Sequence, residues 1–80
     1  MTTTLITLQM VRNRIPRSRS TIYDEIRRGL FPTPIKLGRA SYWRSDEIEA
    51  LISAYSAASN AEDIRCLCVH LQQQRMLNSL

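Results

Sequence analysis

The sequence is poor in several residue types on which particular classes of protein depend. It contains two cysteines, one histidine and two glycines among 80 residues. Two cysteines are too few for a disulfide framework, so we expect a reduced, cytoplasmic protein. A structural zinc site needs four converging ligands, and Cys66, Cys68 and His70 do not supply them. A phosphate-binding loop needs a run of glycines that this chain does not have.

Long apolar runs and catalytic groupings are also missing. No uninterrupted apolar stretch approaches the roughly 20 residues of a membrane-spanning helix. No basic amphipathic helix with a wide apolar face suggests binding to a membrane surface. The single histidine, His70, leaves no set of nucleophile, base and orienting group that could be assembled from the sequence. We therefore expect no membrane association, no cofactor, no metal and no enzymatic activity.

Charge is abundant, and its two signs are segregated along the chain. Residues 1–44 carry nine Lys and Arg against two acidic residues, which gives +7, whereas residues 45–80 carry two Arg against five acidic residues, which gives −3. Eight of the nine cations are arginine, whose forked donors suit phosphate and guanine. A segregated positive field is typical of nucleic-acid binding, and double-stranded DNA is the partner we expect.

The basic half contains a short helix with a clear start and stop, predicted over residues 19–28. Ser18 can cap its first turn, and Gly29 can end it in a left-handed conformation. Ile22 and Ile26 share one face and would anchor the helix to a core. The opposite face carries Ser20, Asp24, Arg27 and Arg28. Such a face suits a helix in the major groove of DNA, although a solvated surface helix has the same pattern.

A second short helix precedes this one. Thr7 can cap a helix over residues 8–13, with Leu8 and Val11 facing the core, and Leu5-Ile6 is either a short strand or a hydrophobic lead-in. Ile15 precedes Pro16, which favours an extended backbone and ends that helix. Two short helices with a tight joint predict a helix-turn-helix whose second helix contacts the bases.

A hairpin follows the two helices. Residues 35–37 and 41–43 alternate in polarity and flank the turn at Gly38. Arg39 lies at the tip, so the hairpin suits a wing that reaches phosphate or the minor groove. Alternatively, it only closes the core through Ile35, Leu37 and Trp43, and both roles are compatible because alternate residues face opposite ways.

Two further helices complete the chain. The first is predicted over residues 46–58 with Ser45 as its cap and Ile48, Leu51, Ile52 and Tyr55 as its apolar stripe. A capping box, Ser59 to Glu62, begins the second, over about 60–77. Its stripe of Ile64, Leu67, Cys68 and Leu71 packs either on its own domain or on a second copy of the chain.

The run from Ser18 to Ile52 resembles the AlpA family of small phage and prophage regulators, which is similar in turn to winged-helix excisionases and to the DNA-binding domains of MerR-type proteins. The resemblance rests on the segments Ser18–Tyr23, Ile26-Arg27, Gly29, Phe31-Pro32, Pro34–Gly38, Trp43–Ser45 and Glu47–Ala50. With the preceding helix it covers about residues 5–57. Asp24 stands where the family often has a cation, and Pro16-Arg17 replaces the usual Gly-Leu joint.

The resemblance implies a mainly α, winged helix-turn-helix domain over residues 5–58, followed by a C-terminal helical extension over residues 59–80. Because the extension lies outside the match, we favour a second copy as the cover of its stripe, which gives a homodimer and lets residues 1–58 fold alone. Family members regulate phage and island genes, or act as recombination directionality factors that bend DNA beside an integrase's attachment site.

We therefore predict an excisionase-like protein of a prophage or genomic island, with an integrase as a further partner. The alternatives are a plain transcriptional activator or repressor and, from another class, a protein-interaction module that uses the last helix. The candidate DNA-binding residues near bases are Arg19, Ser20, Tyr23, Asp24 and Arg27. Those near phosphates are Arg17, Arg28, Lys36 and Arg44, with Arg39 in the wing. Asp24 either accepts from a cytosine or orients a neighbouring Arg, and Arg28 and Arg44 could instead form surface ion pairs with Glu25 or Glu47.

Overall fold

Residues 3–78 form four helices and a small three-stranded antiparallel sheet. The computed structural model describes the backbone of residues 3–78 and the side chains of residues 3–75. The elements, in chain order, are β1 (Leu5–Thr7), α1 (Leu8–Arg14), α2 (Arg19–Arg27), β2 (Ile35–Leu37), β3 (Ala40–Arg44), α3 (Ser45–Ser56) and α4 (Ala61–Asn78). This architecture confirms the winged helix-turn-helix with an additional C-terminal helix.

The two helices of the helix-turn-helix begin and end close to where the sequence predicts. The Thr7 side chain accepts a hydrogen bond from the Met10 amide, and Ile15 takes the extended backbone that Pro16 requires. Ser18 accepts from the Thr21 amide at 3.2 Å, and Gly29 has a φ of +76° after α2. The joint between the helices is therefore only four residues long, from residue 15 to residue 18, which keeps α2 close to α1.

The sheet consists of the predicted hairpin and one more strand. Its order is β1-β3-β2, with Ile6 opposite Trp43 and Ile35 opposite Tyr42. Gly38, with a φ of +64°, forms the turn between β2 and β3. Leu5-Ile6 is thus a strand, the first of the two alternatives. The sheet is fixed to the core from one side, because Ile6 and Trp43 are buried while Leu5 and Leu37 are exposed.

The predicted cap of α3 is wrong. β3 runs directly into α3, so Arg44 occupies the cap position with an extended backbone and Ser45 is the first helical residue. The Ser45 hydroxyl accepts a hydrogen bond from the Thr4 amide at 3.0 Å, and its own amide donates to the Thr4 carbonyl. Ser45 therefore joins α3 to the segment before β1 instead of capping its own helix.

The predicted capping box of α4 is also wrong. The amide of Ser59 donates to the Ala54 carbonyl, so this residue belongs to the closing turn of α3, where Ala58 has a φ of +55°. Asn60 is left as the cap, and its side chain accepts from the Asp63 amide at 2.9 Å. The helix starts one residue later than the box implies.

The core is built around Trp43, which is fully buried. Its Nε1 donates to the Pro32 carbonyl at 2.9 Å, and Phe31 packs edge-on against its ring with the centroids 6.3 Å apart. The other buried apolar residues come from every layer of the fold: Ile6, Val11, Ile15, Ile22, Ile48, Leu51, Ile64 and Cys68. Ile15, which directly precedes the unusual Pro16-Arg17 joint, is therefore packed in the core.

The stripe of α4 is covered within the same chain. Ile64 and Cys68 are 5% and 3% exposed, and Leu67 packs against the same core. The prediction that a second copy covers this stripe is therefore wrong for these residues, because α4 folds back onto α3. Burial raises the pKa of the Cys68 thiol to about 11, with Glu47 and Glu25 adding to the rise, so this thiol stays protonated at neutral pH.

No helix within residues 3–78 is both long and apolar enough to cross a lipid bilayer.

Candidate nucleic-acid interface

The outer face of α2 presents a compact set of polar and charged side chains. Ile22 is fully buried and Ile26 packs against the core, so the helix is held from one side. On the opposite side, the side chains of Arg27 and Arg28 are 78% and 60% exposed. Ser20 is also exposed, two residues after the cap. The structure therefore confirms that the four predicted outward-facing residues lie at the surface: Ser20, Asp24, Arg27 and Arg28.

Asp24 organises this face. Its Oδ1 accepts from Arg27 Nη2 at 3.2 Å, and its Oδ2 lies 3.6 Å from Arg28 Nη1. Of the two roles suggested for Asp24, orienting a neighbouring Arg is the one seen in the structure. Arg28 pairs with this carboxylate and not with Glu25. Exposed pairs of this kind contribute little stability, so both arginines can exchange the carboxylate for another anion.

Arg19 and Tyr23 form the edge of the face. The Arg19 guanidinium carbon lies 5.6 Å from the centroid of the Tyr23 ring, one helical turn away. A cation at this distance from a ring face is attracted by the ring quadrupole. Tyr23 is half-buried, so its ring directs the exposed Arg19 along the helix.

The hairpin carries a second set of cations. Arg39 is exposed at the turn between β2 and β3, beside Gly38. Lys36 lies opposite Ser41 in the sheet, and its ammonium donates to the Ser41 hydroxyl at 2.7 Å. Arg44, in contrast, makes a forked contact with Asp46, with Nε and Nη2 at 3.2 and 3.1 Å from the two carboxylate oxygens. The predicted ion-pair alternative for Arg44 therefore exists, but with Asp46 in place of Glu47.

Arg17 lies apart from both sets. Its guanidinium donates to Glu25 Oε2 and lies 4.7 Å from the centroid of the Tyr55 ring. The hydrogen bond to Glu25 raises the pKa of Arg17, so the side chain is charged at every ordinary pH. In the part of the chain that the structure describes, no hydrogen bond or ion pair joins the α2 set to the hairpin set. Each set is positioned by its own element.

α4 supports both sets through long-range contacts that the sequence pattern does not reveal. Arg65 Nε donates to the carbonyl of Arg28 at the end of α2, at 3.2 Å. Arg75 donates to the carbonyl of Thr33 at 2.9 Å and pairs with Glu47, its Nε lying 2.7 Å from Oε2. Glu47 is 3% exposed. No local spacing could reveal this pair, because its partners are 28 residues apart.

A family model described as "Prophage CP4-57 regulatory protein (AlpA)" matches residues 5–54. This range extends from the first residue of β1 almost to the end of α3, so it contains both candidate sets and omits α4. No curated protein and no solved structure gives a significant match. The matched segment is more than half of the 80-residue chain, and its helix-turn-helix and hairpin are those that the resemblance implies. The chain belongs to the AlpA family of prophage regulatory proteins.

Proposed function

We propose that the chain is a sequence-specific, double-stranded DNA-binding regulator that performs no covalent chemistry. The observation that carries the proposal is the outer face of α2, where exposed Arg27, Arg28 and Ser20 project from a capped helix held by buried Ile22 and half-buried Ile26. In this proposal α2 lies in the major groove, with Arg27 directed at a guanine and Arg28 at phosphate. Arg39 and Lys36 of the hairpin contact the adjacent backbone or minor groove.

We further propose that the protein acts as an excisionase-like recombination directionality factor of a prophage or genomic island. Membership of a family of prophage regulators supports a role on phage DNA. In this role the protein bends the DNA beside the attachment site, favours excision by an integrase and regulates integrase transcription. The competing role is a plain activator or repressor. An excision assay with an integrase and its attachment sites separates them, because only a directionality factor changes the recombination product.

A protein-interaction module built on α4 is the alternative from another class. Since Ile64 and Cys68 are buried within the chain, a homodimer through α4 must use its outer side, where Val69 and Cys66 are exposed. Sedimentation of the full chain at micromolar concentration tests for that dimer. A chain that forms a dimer and binds no DNA would favour this alternative over the regulator.

Binding to DNA should weaken steeply with salt. We expect log K to fall with log salt at a slope of about −4 to −5, because roughly four to six phosphates are neutralised at about −0.9 each. Arg19, Arg28, Lys36 and Arg39 are among the exposed cations that can make these contacts. Fluorescence anisotropy with a random-sequence duplex, from 50 to 200 mM salt, measures the slope. A flat response would contradict the proposal.

Arg27 and Arg28 should differ in what they contribute. Arg27→Ala should weaken binding to a selected site by about 1–3 kcal/mol and relax the preference at one base pair, because it removes a base contact. Arg28→Ala is the matched control: it removes the other partner of Asp24 and should weaken all sequences alike, with a salt slope smaller by about 0.9. Selection from a random duplex library defines the site. If Arg27→Ala left the ratio of selected to scrambled affinity unchanged, Arg27 would not be the base-reading residue.

A further inference from the structure

We infer that Arg17 is a positioning residue, which sets the orientation of α2 against α3, and that it does not contact DNA. The inference rests on the proposed function and names the residue that determines how α2 is oriented towards DNA. Arg17 lies in the joint between α1 and α2, where a cation would ordinarily be taken for a phosphate contact. Its contacts, however, point into the protein.

The first observation is that one side chain joins three elements. From the joint, the Arg17 guanidinium donates to Glu25 in the middle of α2, and it also lies over the ring of Tyr55 in α3, 4.7 Å from the centroid. The side chain of Glu25 is only 14% exposed, and that of Arg17 only 32%. The backbone of the same residue is held as well, because Arg12 Nε donates to the Arg17 carbonyl at 3.3 Å.

The second observation concerns buried polar atoms of the two residues that the guanidinium contacts. Among the residues that the structure describes, Glu25 Oε1 and the Tyr55 hydroxyl are buried without a hydrogen-bond partner. A carboxylate taken out of water requires a cation beside it, and Arg17 is the cation that meets Glu25. Movement of Arg17 towards a phosphate would leave that carboxylate buried and unpaired. The contact with Glu25 is therefore the one that the fold retains.

The geometry of α2 explains why this contact matters for recognition. At 100° per residue, Glu25 lies beside the Ile22 and Ile26 face, on the side away from Arg27. The two isoleucines hold the helix against the core along one line, so a second contact on the flank is needed to fix its rotation about its own axis. A charged contact on the flank restricts that rotation, and the rotational setting decides which base edge Arg27 can reach.

The test compares Arg17→Met with Arg28→Met in the full chain. The two substitutions are chemically identical, and methionine retains an unbranched stem over Tyr55. The probes are a duplex selected from a random library with the wild-type chain and a scrambled duplex of the same composition. Affinities are measured at several salt concentrations, and circular dichroism establishes that each variant is folded.

For Arg17→Met we expect affinity for the selected duplex to fall about tenfold, because Arg27 is misplaced, with affinity for the scrambled duplex and the salt slope unchanged. Arg17→Lys should restore most of the preference, since an ammonium can still pair with Glu25. For Arg28→Met we expect equal losses on both duplexes and a slope smaller by about 0.9. If Arg17→Met instead behaves like Arg28→Met, or changes nothing, the inference is overturned.

A third variant keeps the test informative if Arg17→Met does not fold. Arg17→Met combined with Glu25→Gln removes the unpaired buried charge while leaving α2 without its flanking contact. We expect this double variant to fold and to show the same loss of preference, and a double variant with wild-type preference would overturn the inference. A random library from which the wild-type chain selects no duplex would overturn the proposed function as well, whereas a failure confined to the Arg17 variants overturns this inference alone.

Discussion

A chain that ends at Ala58 should be largely unfolded at 25 °C. Removal of α4 exposes the surface that Ile64 and Cys68 cover, and each fully buried apolar side chain contributes about 1.5–3 kcal/mol. It also removes Arg75, whose ion pair with Glu47 is buried in the full chain. These losses together approach the whole stability of an 80-residue domain, about 4–12 kcal/mol by the usual value per residue. The measurement is far-ultraviolet circular dichroism of the shortened chain during urea titration.

A full-length Arg75→Met variant is the control for that experiment. It removes the partner of Glu47 but keeps the apolar stripe of α4, so it should lose about 3–5 kcal/mol of the free energy of unfolding and remain folded. The combined Arg75→Met and Glu47→Met variant should recover much of that loss, because no charge is then left buried. A shortened chain with a cooperative unfolding transition at wild-type urea concentration would show instead that residues 1–58 fold independently, as the sequence had suggested.

Trp43→Ala should destabilise the fold by about 3–5 kcal/mol, the usual cost of removing a buried aromatic side chain. The ring is fully buried, packs on Phe31 and donates to the Pro32 carbonyl, so its loss leaves both a cavity and an unpaired acceptor. In a domain of this size the melting temperature should fall by about 12 °C or more. Differential scanning calorimetry measures this fall.

Tyr42→Ala is the matched control for Trp43→Ala. Tyr42 is the preceding residue of β3 and points to the opposite side of the sheet, where it is half-buried. Its removal should cost only about 1 kcal/mol, mainly through weaker strand preference. Equal effects of the two substitutions would mean that the hairpin is not attached to the core through Trp43.

The local elements of this fold were predictable because short-range chemistry determines them. Ser18 marks the start of α2 and Gly29 marks its end. Pro16 forces Ile15 out of the helical conformation, and Gly38 permits the hairpin turn. These effects involve residues at most a few positions apart, so spacing in the sequence reveals them. The outer face of α2 was predictable for the same reason, since the positions of two isoleucines determine which residues point away.

The two predicted helix caps were wrong because each serine bonds to a residue outside the helix that it was expected to cap. Ser45 is a residue type that commonly caps helices, yet it bonds to Thr4 because β1 lies beside the β3–α3 junction. Ser59 fits a capping box, yet its amide closes α3. The contacts of Arg17 with Glu25 and Tyr55 were likewise not visible from the sequence, and its predicted phosphate contact stays a prediction. Sequence spacing does not show which of two chemically suitable partners is nearer in the folded chain.

The contacts of α4 also bear on the exchange of segments between relatives. The family match ends at residue 54, before α4 begins, although Arg65 bonds to the end of α2 and Arg75 bonds to the segment before β2. A chimera that joins residues 1–58 of this chain to the tail of another family member must therefore supply a cation for Glu47 and a donor for the Thr33 carbonyl. A tail without them would need an uncharged residue at position 47. Positions 47 and 75 must consequently be transplanted as a pair, even though only one of them lies inside the matched segment.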